Sequence, residues 1–240
     1  MNNAESADEM LLFYSLDNNT ETSPFWRKRF CNFEIYQFFW FLILFSILGF
    51  IMESGYSFFK HGYIESRRGL IFGPFIPIYG IATIVIILFL MPYKDSYIKL
   101  ILGSFFYGSV LEYIFSVSQE YLFGTVSWDY SSLPFNINGR ICLMYSAYWA
   151  ILGTLIIRHL YPAAKFIISC IPRKDGEYLA LLLAIFLIYD SFISVNAVIR
   201  ASARASSIQP SSTFEKYIDS HYTDEFLQNI YPHMQYKGKL

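Results

Sequence analysis

The chain has 240 residues, 55% of them hydrophobic and 20% aromatic against only 15% charged, and its mean hydropathy is +0.36. That balance is far from a soluble globular domain and points to an integral membrane protein. A net charge of −1, with no basic stripe interleaved with aromatics, excludes a nucleic-acid partner.

Residues 1–34 are polar and end in Trp26-Arg27-Lys28-Arg29. They lack the apolar core and small-residue cleavage site of a secretory signal, so the first span is expected to stay as an anchor. Mostly apolar runs long enough to cross about 30 Å of hydrocarbon follow over 35–59, 74–92, 97–119, 140–161 and 178–199. The expected fold is all-α: a polytopic membrane helical bundle of about five transmembrane helices, arranged as two hairpins plus one. On this reading 35–161 holds the two hairpins, 178–199 the fifth span and 200–240 a tail. A cell-membrane, multi-pass location follows, with the lipid bilayer as the first partner.

The first span carries Gly49-Phe50-Ile51-Met52-Glu53 and the third Gly108-Ser109-Val110-Leu111-Glu112. An ionised acid near a helix centre costs roughly 2.5–3.5 kcal/mol in lipid, so intramembrane acids usually face a partner, a cavity or a pathway. Each glycine lies one turn before its acid on the same face, where it lets a neighbour come close. The second span opens on Phe72-Gly73-Pro74-Phe75-Ile76-Pro77-Ile78-Tyr79-Gly80, whose two prolines predict an irregular start that must be buried in protein or line a cavity. The loop after the third span holds Trp128-Asp129-Tyr130-Ser131, Pro134-Phe135-Asn136 and Asn138-Gly139-Arg140. Arg68-Gly69-Leu70-Ile71 and Asn138-Gly139-Arg140-Ile141 stand at corresponding points, which suggests a duplicated two-helix unit or chance likeness between apolar segments.

Spans one, three and five run the same way. At 1.5 Å per residue, Glu53, Glu112 and Asp190 lie about 27, 22 and 18 Å from the starts of their spans. All three lean to the face where both hairpin loops and Arg200 emerge. Glu53, Glu112, Asp129, Asn136, Asn138 and Arg140 are therefore the candidate ligand or ion pathway, with Arg68, Tyr79, Asp190 and Arg200 as secondary candidates. Arg140 either presents its fork to an anionic group or neutralises Glu112. About nine basic residues near the opposite face, against about six here, favour a cytoplasmic N-terminus and an outside C-terminus. In the tail, Ser212-Thr213-Phe214-Glu215 forms a capping-box sequence before an amphipathic helix ending at Pro232. That helix docks on the bundle or on the membrane interface. Cys31, Cys142, Cys170 and the four histidines are scattered, so no metal or cofactor is expected.

The strings around Phe72 to Gly80, Leu111-Glu112-Tyr113 and Trp128-Asp129-Tyr130-Ser131 to Asn138-Gly139-Arg140 resemble the bacterial family called putative ABC-transporter type permeases, or CmpB-like proteins, over about residues 36–160. The resemblance implies a polytopic membrane protein and a separate ATPase subunit. The chain itself has no Gly-x-x-x-x-Gly-Lys-Ser/Thr loop. The docking loop expected over 158–177 lacks the Glu-Ala-Ala-type coupling signature, which weighs against that subunit. The function expected is a transport or ligand-binding component that takes a small molecule or cation. The alternatives are a membrane-embedded enzyme acting on a lipid or amphiphile, and a scaffold or sensor. No nucleophile–base constellation stands out, so an enzyme is the weaker reading.

Overall fold

The computed structural model describes residues 25–30 and 33–237; the head 1–24 and Cys31 lie outside the described residues. A short hairpin of β1 (Arg29–Phe30) and β2 (Phe33–Glu34) leads into α1 (Ile35–His61). Glu34 starts this helix with a reciprocal capping box, its side chain accepting from the Gln37 amide while its own amide donates to Gln37 Oε1 at 3.2 Å. Gly62, at φ +78°, ends it. α3 (Tyr97–Phe123) is built alike: 27 residues, a Ser96 N-cap, and Gly124 at φ +65° as its stop.

Between them, α2 (Pro77–Leu90) has only 14 residues and rises about 21 Å. The second expected span is therefore not a full-length helix. Among the described residues four helical stretches are long and apolar enough to cross a membrane: Ile35–His61, Tyr97–Phe123, Leu143–Ser169 and Arg173–Ala205. The missing length lies in the irregular start. Residues 69–76 turn back on themselves through Gly69 N–H to Phe75 C=O (2.9 Å), and Ile76 N–H donates to the Ser46 carbonyl, well inside α1 (3.1 Å). Leu70, Ile71 and Phe75 are buried, so this backbone is sheltered by protein, as its prolines predict.

α4 (Leu143–Leu155), a π-helical turn (Ile156–Leu160) and α5 (Tyr161–Ser169) form one continuous helical rod. The π turn has a local cause. Pro162 has no N–H and its ring would press on the Arg158 carbonyl, and widening the helix, with Tyr161 N–H bonded to the Ile156 carbonyl, makes room. Only Cys170–Pro172 then separates this rod from α6 (Arg173–Ala205). The docking loop expected over 158–177 is thus almost wholly helix. The core lies where α1, α2, the start of α3 and the α4–α5 rod meet, with Phe41, Ile86, Ile87 and Leu100 fully enclosed.

The single tail helix expected from the sequence is two, α7 (Thr213–His221) and α8 (Asp224–Ile230), because Thr223 accepts from the Phe226 amide and starts a second helix. Ser212 caps α7 as its sequence predicts, whereas Glu215 reaches one residue further, to Ser211 N–H (2.5 Å). Ile218 and Leu227 are fully buried against Ile71, Ile193, Ala197 and Ala201, so the tail docks on the bundle. Its end, β6 (Gln235–Tyr236), pairs antiparallel with β3 (Thr125–Val126) in the loop after α3.

Candidate functional site

The glycine-acid spacing works as a socket. A Cβ at Gly49 would collide with the Tyr79 ring and would meet its Cβ at 2.7 Å, so only glycine lets this ring lie flat on α1. One turn on, the Tyr79 hydroxyl donates to Glu53 Oε1 at 2.6 Å. The second hairpin repeats the device with a different ring. Gly108 seats Trp149, and Trp149 Nε1 donates to Glu112 Oε2 at 3.0 Å. A further pair of small-residue contacts sits about one turn from each socket, Gly80 against Ser46 and Gly153 against Ser104. This recurrence of socket, ring and acid in α1–α2 and α3–α4 is the geometric counterpart of the internal likeness in the sequence.

Glu53 and Glu112 are each held by groups of their own hairpin and its loop. The rings that hold them, Tyr79 and Trp149, are neighbours, with centroids 6.1 Å apart. Glu112 is buried, and its other oxygen accepts from the Tyr130 hydroxyl at 2.9 Å; Glu53 is half-buried. Burial and the neighbouring Glu112 push the Tyr130 phenol well above its ordinary range, so it stays a donor. Its ring stacks on Tyr145 at 4.4 Å.

Arg140 does not neutralise Glu112. Its guanidinium pairs with Glu120 at 2.5 Å and donates to Ser116 at 3.1 Å, two turns and one turn along α3 from Glu112. The remaining loop candidates mainly build the loop. β4 (Asn136–Ile137) and β5 (Ile141–Cys142) form a hairpin whose turn residues Asn138 and Gly139 both have positive φ, +54° and +68°. Residues 138–140 connect the strands, Arg140 N–H closes the turn on the Ile137 carbonyl, and Asn-Gly suits the two central positions of positive φ. Asn136 accepts from Gly139 N–H at 3.0 Å and donates to the Leu133 carbonyl at 2.8 Å, while Asn138 reaches the Tyr113 hydroxyl at 2.9 Å. Asp129 accepts from the hydroxyl and amide of Ser131, and from Lys237 at 3.1 Å. Those donors, led by the Ser131 hydroxyl, hold its carboxyl down at about 2.

Of the secondary candidates Tyr79 joins Glu53, and the other three fall into two separate clusters. Asp190, fully buried, accepts from the Phe72 amide (3.1 Å) and from Ser194 (3.0 Å), and Ser194 accepts from the Ile71 amide (2.9 Å). Arg68 donates to the Ile71 carbonyl at 3.4 Å. These residues pin the irregular start of α2 to α6, so Asp190 serves backbone rather than joining the Glu53–Glu112 pair. Arg200 forms a two-pronged pair with Asp219 at 3.0 and 2.6 Å and, with Arg204, anchors the tail.

The tail then crosses both hairpin loops: Ser66 donates to the Ile230 carbonyl (2.7 Å), His233 meets Glu65 (2.7 Å) and Lys237 reaches Asp129. The hydrogen bond from His233 is the main cause holding Glu65 below its ordinary range. Lys237 therefore grips the residue next to the one that caps Glu112. Trp149, Tyr130 and Glu120 carry much of this geometry and were not among the sequence candidates. The glycine one turn before each acid was the available signal that a large ring lies opposite.

Long apolar helices, and acids seated in sockets toward one end of them, define a helical membrane protein. A family model described as Putative ABC-transporter type IV matches residues 39–195, and the chain belongs to that family. The match runs beyond the two hairpins to include most of α6 and its Asp190. No curated protein and no solved structure matches the chain.

Proposed function

We propose that the protein is a transport or ligand-binding component whose intramembrane acidic site, Glu53 and Glu112 with their aromatic partners, takes a cation, a proton or a small cationic molecule. The observation that carries this reading is the duplicated socket. Two hairpins each expend a glycine and a large ring to hold one carboxylate inside a membrane helix, where an acid placed only for packing is costly. Tyr130 and the Asp129–Arg140 loop cover Glu112 from the polar face, and the tail clasps that loop. Movement of this cover would open a path to the acids. We read residues 69–76 together with α2 as one of five passes, with the N-terminus inside and the C-terminus outside the cell membrane. The separate ATPase implied by the family would meet the face bearing Arg27 and the Cys170–Pro172 turn.

The test is to identify what co-purifies with the full chain by native mass spectrometry and elemental analysis, with Glu112→Gln and Lys216→Gln side by side. A bound species lost only in Glu112→Gln supports the site. A species retained equally in both, or none in the parent protein, leaves the acids as packing elements and refutes the reading.

A further inference from the structure

At the opposite end of the bundle, near the start of α1, a recess of about 400 Å³ opens between the end of α2 and the α4–α5 rod. We propose that it binds a phosphate group, that of an anionic phospholipid headgroup. Its polar wall is made by Lys94, Arg158 and Lys165 with one carboxylate, Asp95, and its apolar wall includes Met91 and Ile157. Among the described residues none of these three cations forms an ion pair, although the other arginines around the bundle mostly do. Three cations against one carboxylate leave the recess an excess of two positive charges.

Arg158 is the anchor. The π turn sets it on the recess, its guanidinium lies 3.9 Å from the centre of the Tyr97 ring, and its Nε is buried with no acceptor. A guanidinium held over a ring is restrained in position for an oxyanion, and a buried donor without a partner is costly until one arrives. Lys94 and Lys165 are exposed at the rim and suit a phosphate as mobile point charges. A second recess of about 400 Å³ shares Lys165 and continues to Arg173, so the basic surface extends sideways from the first. Tyr93, Tyr97 and Tyr161 surround the region, as aromatics do at headgroup level. Basic pockets between helices at this level are where phospholipid headgroups are held, and the apolar wall offers the acyl region its own contact.

The site is independent of Glu53 and Glu112, which lie near the other end of α1 and α3. It is tested on the full chain in detergent by native mass spectrometry, titrating phosphatidylglycerol or phosphatidylcholine of matched acyl chains, and inorganic phosphate alone in a separate arm. A charge-assisted contact is worth about tenfold in affinity. Phosphatidylglycerol should bind about tenfold or more tighter than phosphatidylcholine. Lys94→Gln and Lys165→Gln, both at exposed positions, should each remove about tenfold of that preference, as should Arg158→Gln, while Lys216→Gln changes nothing. Inorganic phosphate that binds and is lost in the same variants, with no preference between the lipids, would keep the phosphate site and assign it to the free ion. Equal binding of both lipids with no response to phosphate, or a preference untouched by Lys94→Gln and Lys165→Gln, overturns the proposal.

Discussion

Replacing Glu53 and Glu112 by glutamine should have unequal costs, and the hydrogen-bond partners set the difference. Glu53 accepts from one group, the Tyr79 hydroxyl. In Glu53→Gln the amide carbonyl takes that bond and the half-buried NH2 is left to find solvent or a neighbour. Glu112 accepts from two donors on its two oxygens, Tyr130 at 2.9 Å and Trp149 at 3.0 Å. Indole N–H can only donate, so in Glu112→Gln the new side chain is forced to turn its carbonyl to Trp149 and its NH2 to Tyr130. The Tyr130 hydroxyl must then accept, and its own hydrogen is stranded. An unsatisfied buried donor costs about 1–3 kcal/mol, which for a chain of this size is roughly 2–12 °C in Tm. Glu112→Gln should therefore melt lower than Glu53→Gln by about that much in the same detergent. Tyr130→Phe should destabilise the parent but be neutral or favourable in Glu112→Gln, where it removes the stranded hydroxyl, giving a coupling of about 1–3 kcal/mol in a double-mutant cycle. Equal melting of the two glutamine variants, or additive effects in the cycle, would refute the assignment of Glu112 as a doubly capped carboxylate.

Gly49→Ala and Gly108→Ala should each cost about 1–3 kcal/mol by overpacking against Tyr79 and Trp149, whereas Gly55→Ala, with nothing within 4 Å of its Cβ, should be neutral or slightly stabilising; unfolding in mixed micelles compares them. Asp219→Asn leaves Arg200, whose side chain is 5% exposed, without its main partner and should loosen the tail by about 3 kcal/mol, seen as faster proteolysis within residues 213–237 with the bundle intact. Acid should release the same segment. Arg200 is the first cause depressing Asp219, as His233 is for Glu65 and the Ser131 hydroxyl for Asp129. Carboxyls depressed in the docked state stabilise it above their ordinary values near about 4, and that contribution is lost as pH falls through the depressed ones. A spin label at Asn229, in a protein with its cysteines replaced, should keep constant mobility from about pH 8 to 5 and become mobile between about 4 and 2; mobility already rising above about pH 6 would contradict this.

Long apolar runs, the two glycine-acid spacings and the irregular start at Pro74 and Pro77 were legible in the sequence because they are local: each follows from hydrocarbon thickness, helix pitch or the missing proline N–H. Residues 36–160 also carried the family resemblance. Asn138-Gly139 was legible in principle as a turn, but its place beside Asp129 and Arg140 made it look like part of a ligand site. The partner of each charge was decided by tertiary structure alone. Arg140 lies 28 residues after Glu112 and 20 after Glu120, and only the depth at which the hairpin loop meets α3 selects Glu120. Likewise Trp149, one more aromatic in an apolar run, becomes the donor to Glu112 because α4 packs against Gly108, and Asp190 serves backbone amides because residues 69–76 fold onto α6. Periodicity fixes which residues share a helix face, but hydrogen bonds between helices depend on relative rotation and depth, which are set by the fit of rings and glycines across the whole bundle.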